Sequence, residues 1–132
     1  MKRQSLSQIS KELASLLSAI ASPERITLLL LIGKGEACVC HLEAASGWRQ
    51  AYISQHLMTL RKAAILQGQR KGRYVFYRMR NTALLDLIIS AAVLNGFAAE
   101  SVTALINTKV YPSCDCPQCA PGLISIDELK PA

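Results

Sequence analysis

The sequence predicts a mainly α-helical domain with one small β-hairpin, followed by a cysteine-rich tail. Three observations carry this. Ile53, Leu57, Leu60 and Ala64 recur at i, i+4, i+7 and i+11 and form one apolar helical face. The following stretch, Arg73–Met79, is β-rich and alternates, with Lys71-Gly72 ahead of it as a two-residue turn. Beyond Lys109 the composition changes: Tyr111–Gly122 holds three Pro, one Gly and three Cys, which excludes helix. At 132 residues, the chain reads as one domain over residues 1–109 and a flexible tail over residues 110–132.

The elements follow in order. Residues 5–20 form a first amphipathic helix with Leu6, Ile9, Leu13, Leu16, Leu17 and Ile20 on its apolar side. Ser22-Pro23-Glu24 opens a second helix, with a Ser cap, Pro in the first turn and an acid beside it. That helix runs to about Ile32 and stops at Gly33-Lys34-Gly35; its Leu28–Ile32 run is apolar all round, as a central buried helix is. Residues 36–45 read as a third, short helix, and Ser46-Gly47-Trp48 as the turn into a fourth. After the hairpin, Asn81-Thr82 caps one long final helix reaching about Ile106. The last helix and the first carry more apolar surface than one small domain covers, which predicts a homodimer through these two helices.

Charge is segregated. The span 44–85 holds eight of the fifteen basic residues and none of the nine acidic ones, so it carries +8 and the remainder −2. Such a stripe on a helix and a hairpin attracts a polyanion. Uncharged hydrogen-bonding side chains early in the fourth helix suit base edges, and cations at its end suit phosphates. The short helix, turn, longer helix and cationic hairpin together outline a winged helix-turn-helix. The expected duplex-DNA contacts are Arg49, Gln50, Tyr52, Ser54, Gln55, His56, Arg61 and Lys62 of the helix, with Arg70, Lys71 and Arg73 of the wing. A dimer of such modules reads an inverted repeat.

Five cysteines, an odd number, exclude a complete intrachain disulfide framework and fit reduced thiols in a cytoplasm. Lys2-Arg3, the run Leu13–Ala21 and its small-residue end imitate a short signal peptide, but Lys11 and Glu12 abut the run. Leu28–Ile32 is too short to span a bilayer. Cys38 and Cys40 fall in the first turn or so of the third helix, where the helix end and the basic helix beyond favour thiolate. In a regular helix these side chains point about 200° apart, so one ion shared between them requires that turn to distort and the next helix to tilt. Cys114, Cys116 and Cys119 can wrap a soft ion alone or complete a site with the first pair. Three sulfurs suit a trigonal metalloid and four suit zinc or cadmium. His41 reads as a packed histidine rather than a ligand. No Gly-rich phosphate loop or Ser/His/Asp set argues for an enzyme or an organic cofactor.

Ala21-Ser22-Pro23-Glu24-Arg25-Ile26, Cys38-Val39-Cys40-His41-Leu42, Ile53-Ser54-Gln55-His56-Leu57, Leu60-Arg61-Lys62-Ala63 and Gly72-Arg73-Tyr74-Val75-Phe76-Tyr77-Arg78 stand in order along the chain. This series resembles the signatures of the ArsR/SmtB family over roughly residues 6–106. The resemblance implies a dimeric winged-helix repressor that leaves its operator when it binds a metal or metalloid, or when thiols oxidise. It implies that Cys38 and Cys40 form a thiolate site for arsenite, antimonite, cadmium or lead. Two positions depart from the family: Arg49 stands where Ser is frequent, which removes the usual helix cap, and Ala64 replaces a common Gly. The final helix has no His, so a carboxylate–histidine zinc site cannot be built around Asp86. Two alternatives stay open: the same module switched by a disulfide between Cys38 or Cys40 and a tail cysteine, and a small thiol redox or metal-carrier protein.

Overall fold

The computed structural model describes residues 3–106. The element order is α1 (Leu6–Ile20), α2 (Pro23–Ile32), β1 (Glu36–Cys38), α3 (Val39–Ser46), α4 (Gln50–Lys62), β2 (Leu66–Lys71), β3 (Tyr74–Met79), α5 (Ala83–Leu94) and α6 (Ala99–Thr103). The tail over residues 110–132, with Cys114, Cys116 and Cys119, lies outside the described residues.

The helix starts follow from their caps. Ser5 Oγ accepts the Gln8 amide at 3.1 Å, and Ser22 Oγ accepts the Arg25 amide at 3.3 Å. α2 ends where Gly33 takes φ 61°, a backbone that glycine adopts without a Cβ clash. Leu28 and Leu29 of α2 are completely buried, and against them pack Leu42 of α3, Ile53, Leu57 and Leu60 of α4 and Leu85 of α5. The expected apolar face of α4 is borne out at Ile53, Leu57 and Leu60. Ala64 instead lies past the helix end, exposed, at φ 60°.

Three expectations need correction, and a fourth, the Asn81-Thr82 cap, holds at Asn81 alone. Residues 36–38 are a strand, not helix; β1 pairs antiparallel with β3, giving a three-stranded sheet of order β1-β3-β2. A three-residue strand shows no alternation to read, and its partner lies some forty residues on. The hairpin turn is Gly72-Arg73, because Lys71 pairs with Tyr74, and Gly72 supplies the positive φ of 64°. The final helix is two: α5 stops at Leu94, Gly96 takes φ 98°, and α6 restarts at Ala99. Thr82 precedes α5 without a side-chain cap; the Asn81 side chain accepts the Ala83 amide instead, at 3.0 Å.

The outer helices leave apolar surface uncovered. Leu6, Ile9, Leu13 and Leu17 on α1 are exposed, and so are Leu87, Val93 and Leu94 on α5 and Phe97 after it. Among the described residues no single helix is long and apolar enough to cross a membrane.

Candidate nucleic-acid interface and thiol site

α3, the turn at Gly47 and α4 form the helix-turn-helix. Gly47 takes φ 76° and its amide bonds to the Glu43 carbonyl at 2.8 Å, which ends α3 and redirects the chain. Arg49 occupies the N-cap of α4 without a side-chain cap bond, as its departure from Ser predicts. Gln50, Tyr52 and Gln55 are exposed on α4, Ser54 and His56 are half-buried, and Arg61 and Lys62 lie in its last turn, where cations favour the helix end.

Two of these residues also hold α4 in place. The Trp48 and Tyr52 rings meet edge-on at 5.7 Å, and Tyr52 and His56 at 4.9 Å. The Tyr52 hydroxyl donates to the Glu24 carboxylate of α2, which raises the phenol above its ordinary 10.0. Glu24 is held below its ordinary 4.5, first by its own backbone amide, then by the Ser22 hydroxyl and Tyr52. Arg25 donates from Nε to the Ala19 carbonyl at 2.6 Å, and its Nη1 lies 3.4 Å from His56 Nδ1. The end of α1, the start of α2 and the exposed side of α4 are thereby tied together. Sequence reasoning missed Glu24 and Arg25 in this role; the signal was the four-residue spacing of Trp48, Tyr52 and His56.

On the wing, Arg70 and Arg73 are exposed. Arg73 donates to the Tyr74 hydroxyl at 3.0 Å and lies over its ring. Lys71 donates to Glu36 Oε1 of β1 at 2.6 Å and lies over Phe76, so a carboxylate offsets this expected phosphate contact. Arg61 of α4 lies over the Tyr77 ring at 5.9 Å and links that helix to β3.

The thiols differ from expectation in a way that changes the chemistry. Cys38 is the last residue of β1 and the N-cap of α3, with extended backbone at φ −86° and ψ 167°. Its sulfur accepts the His41 amide at 3.4 Å. Outside the helical repeat, Cys38 no longer diverges from Cys40, and the two Sγ atoms lie 2.9 Å apart. No distortion of the turn is needed to bring them together. Two sulfurs on one tetrahedral ion at 2.3 Å sit about 3.8 Å apart, so the pair would open by about 0.9 Å to share one. Their chemistry fits a soft metal or metalloid, which thiolates prefer. Cys38 is buried and Cys40 half-buried. They face a cleft of about 360 Å³ walled by Gln50 and Ser54 of α4 and by Arg73 and Tyr74 of the wing. His41 is buried and desolvation pushes its imidazole below the ordinary value, favouring the neutral ring.

This arrangement of helices, sheet and basic hairpin defines a winged helix-turn-helix domain. Residues 22–67 match the family model described as bacterial regulatory protein, arsR family. The transcriptional repressor SmtB of Mycobacterium tuberculosis is 36% identical over 81 residues, 61% of this chain and 60% of that protein. The arsenic resistance transcriptional regulator ArsR1 of Pseudomonas putida is 46% identical over 61 residues, 46% of this chain and 48% of that protein. The crystal structure of the transcriptional repressor BigR from Xylella fastidiosa superposes with a TM-score of 0.61 at 30% identity, covering 74% of this chain and 99% of that one. The chain belongs to the ArsR/SmtB family, whose members matched here are transcriptional regulators and not enzymes. It spans about 60% of the length of the mycobacterial repressor.

Proposed function

We propose that this chain is a dimeric repressor that binds an inverted-repeat operator and releases it when cysteine thiolates capture a soft metal ion or metalloid. One observation carries the reading: the Cys38–Cys40 pair, 2.9 Å apart, opens into the cleft walled by the start of α4 and the wing. A ligand held there acts at the surface that faces DNA, so it has different affinities for the DNA-bound and free forms. The arsenite, antimonite, cadmium and lead class suits two converging thiolates, with Cys114, Cys116 and Cys119 supplying the rest of the ligand set. The match to a regulator named for arsenic resistance supports the metalloid end of that range.

The uncovered leucines of α1 and the apolar end of α5 support the dimer. A two-fold axis there sets the two α4 helices to read half-sites about one helical turn apart.

Gel-shift titration of the reduced protein on its operator, with arsenite and with Cd²⁺, tests the reading. Cys38→Ser is expected to bind DNA and to ignore both ligands; normal release by that variant rules out the pair as the sensor. A redox switch is the second reading; the 2.9 Å between the Cys38 and Cys40 sulfurs favours oxidation within this pair, in place of the disulfide to a tail cysteine that the sequence suggested. Release by peroxide with no response to either ion would select it.

A further inference from the structure

Ser54, Gln55, Met58 and Lys62 line a shallow groove of about 560 Å³ along the outward face of α4, opposite buried Ile53, Leu57 and Leu60. Among the described residues, Arg25 of α2 is its one lining group from outside α4, and it adjoins His56. No acidic residue lines the groove, so Arg25 and Lys62 give it two positive charges. The Arg25 guanidinium is held in place. Its Nε donates to the Ala19 carbonyl at 2.6 Å, its Nη2 to the Ser18 carbonyl at 3.5 Å, and its Nη1 lies 3.4 Å from His56 Nδ1. None of these partners is a carboxylate. The neighbouring Glu24 is bonded instead to the Ser22 hydroxyl at 2.8 Å and to Tyr52. A guanidinium has five N–H donors and no acceptor, so His56 Nδ1 accepts and two donors of Arg25 remain beyond these three contacts. The last carbonyls of α1 offset only about half a charge.

We propose that Arg25, outside the helix-turn-helix, contacts the DNA backbone at the phosphates bordering the major groove that α4 enters. The proposal rests on the operator-binding reading above and is independent of the thiols. A helix in a major groove roughly 12 Å wide turns its outward face to base edges and its flanks to phosphates. Arg25 stands on such a flank, beside His56 and at the edge of the face that carries Ser54, Gln55 and Lys62. Its bonds to Ala19 and Ser18 fix the side chain before DNA arrives, so little rotamer freedom is left to lose on binding. The contact sets the register of α4 in the groove and reads no sequence itself.

The test is the salt dependence of binding by the full chain, on its operator and on an unrelated duplex, because a phosphate contact is independent of sequence. Arg25→Gln removes the charge and keeps a donor for the Ala19 carbonyl. Its salt slope is expected to fall by about 0.9 per chain on both duplexes. Arg25→Lys keeps the charge without the fork, so the wild-type slope is expected at lower affinity. Lys11→Gln, which removes an exposed charge on α1, is expected to leave the slope unchanged. An unchanged slope in Arg25→Gln, or an equal fall in Arg25→Lys or Lys11→Gln, overturns the proposal. Wild-type chain that binds neither duplex sinks the operator-binding reading itself. A second measurement needs no variant. The guanidinium NMR signals of Arg25 in the wild type are expected to shift on adding the unrelated duplex, and not with inorganic phosphate at the same phosphate concentration. Unmoved signals, or an equal shift with inorganic phosphate, overturn the proposal.

Discussion

Ala64→Gly is expected to stabilise the domain, and the size of the gain follows from the end of α4. The Ile65 amide bonds to the Leu60 carbonyl at 3.0 Å, and the Ala64 amide to the Arg61 carbonyl at 2.9 Å. With Ala63 as C-cap, these are the two bonds of a Schellman motif, and buried Leu60 and Ile65 are its apolar contact. The motif requires a left-handed residue at position 64, where φ is 60°. An alanine there costs about 1–2 kcal/mol relative to its preferred backbone. Glycine removes that strain but adds unfolded-state entropy of about 0.5–1 kcal/mol. Ala64 is exposed, so the methyl group gives up little packing. The net gain is about 0.5–1 kcal/mol, or a rise of a few degrees in Tm. Urea denaturation at fixed protein concentration, which holds dimerisation constant, measures it. Loss of stability in the glycine variant would refute the left-handed assignment and the strain built on it.

Other predictions concern the charges, the helix anchor and the dimer. Arg73→Ala is expected to reduce the salt slope of operator binding by about 0.9 per protomer. Lys71→Ala reduces it less, because Glu36 already offsets that ammonium, and Glu36→Gln steepens the slope; fluorescence anisotropy at several salt concentrations reads all three. Glu24 is lowered, so its contribution to stability is present above pH 4.5 and fades as pH falls through the folded value. Tyr52 is raised, so its contribution is present below pH 10.0 and is lost as pH climbs through the folded value. Denaturation across pH is therefore expected to show wild type and Tyr52→Phe converging on the alkaline side. Leu13→Glu/Leu17→Glu replaces two exposed leucines of α1. If each is worth about 1.5 kcal/mol, the four leucines of a two-fold interface give about 6 kcal/mol, so the dimer weakens on the order of ten-thousandfold, visible by sedimentation.

What the sequence showed was local. Ser5, Ser22 with Pro23, and Gly33 mark helix ends through bonds to residues a few positions away, and the structure places the ends there. The α4 face and the basic hairpin were likewise visible as periodicity and charge. What it hid was non-local or a matter of one residue's backbone. β1 exists because β3 offers it a partner, and nothing within residues 36–38 announces that. Moving Cys38 from the helix to its cap reverses the geometry of the thiol pair from divergent to 2.9 Å apart. The break between α5 and α6 has a local mark at Asn95-Gly96, a helix-ending pair flanked on both sides by apolar residues that mask it. Glu36 was invisible as a partner of Lys71 for the same reason β1 was.

The central claim is that a soft ion at Cys38 and Cys40 lowers affinity for DNA. Its most direct measurement is the operator dissociation constant of the fully reduced wild-type protein, at one salt concentration, with and without one equivalent of Cd²⁺ or arsenite per chain. The account predicts a constant at least about tenfold larger in the loaded state, restored by a competing chelator or dithiol. An unchanged constant, with the ion shown spectroscopically to be bound to sulfur, would contradict it.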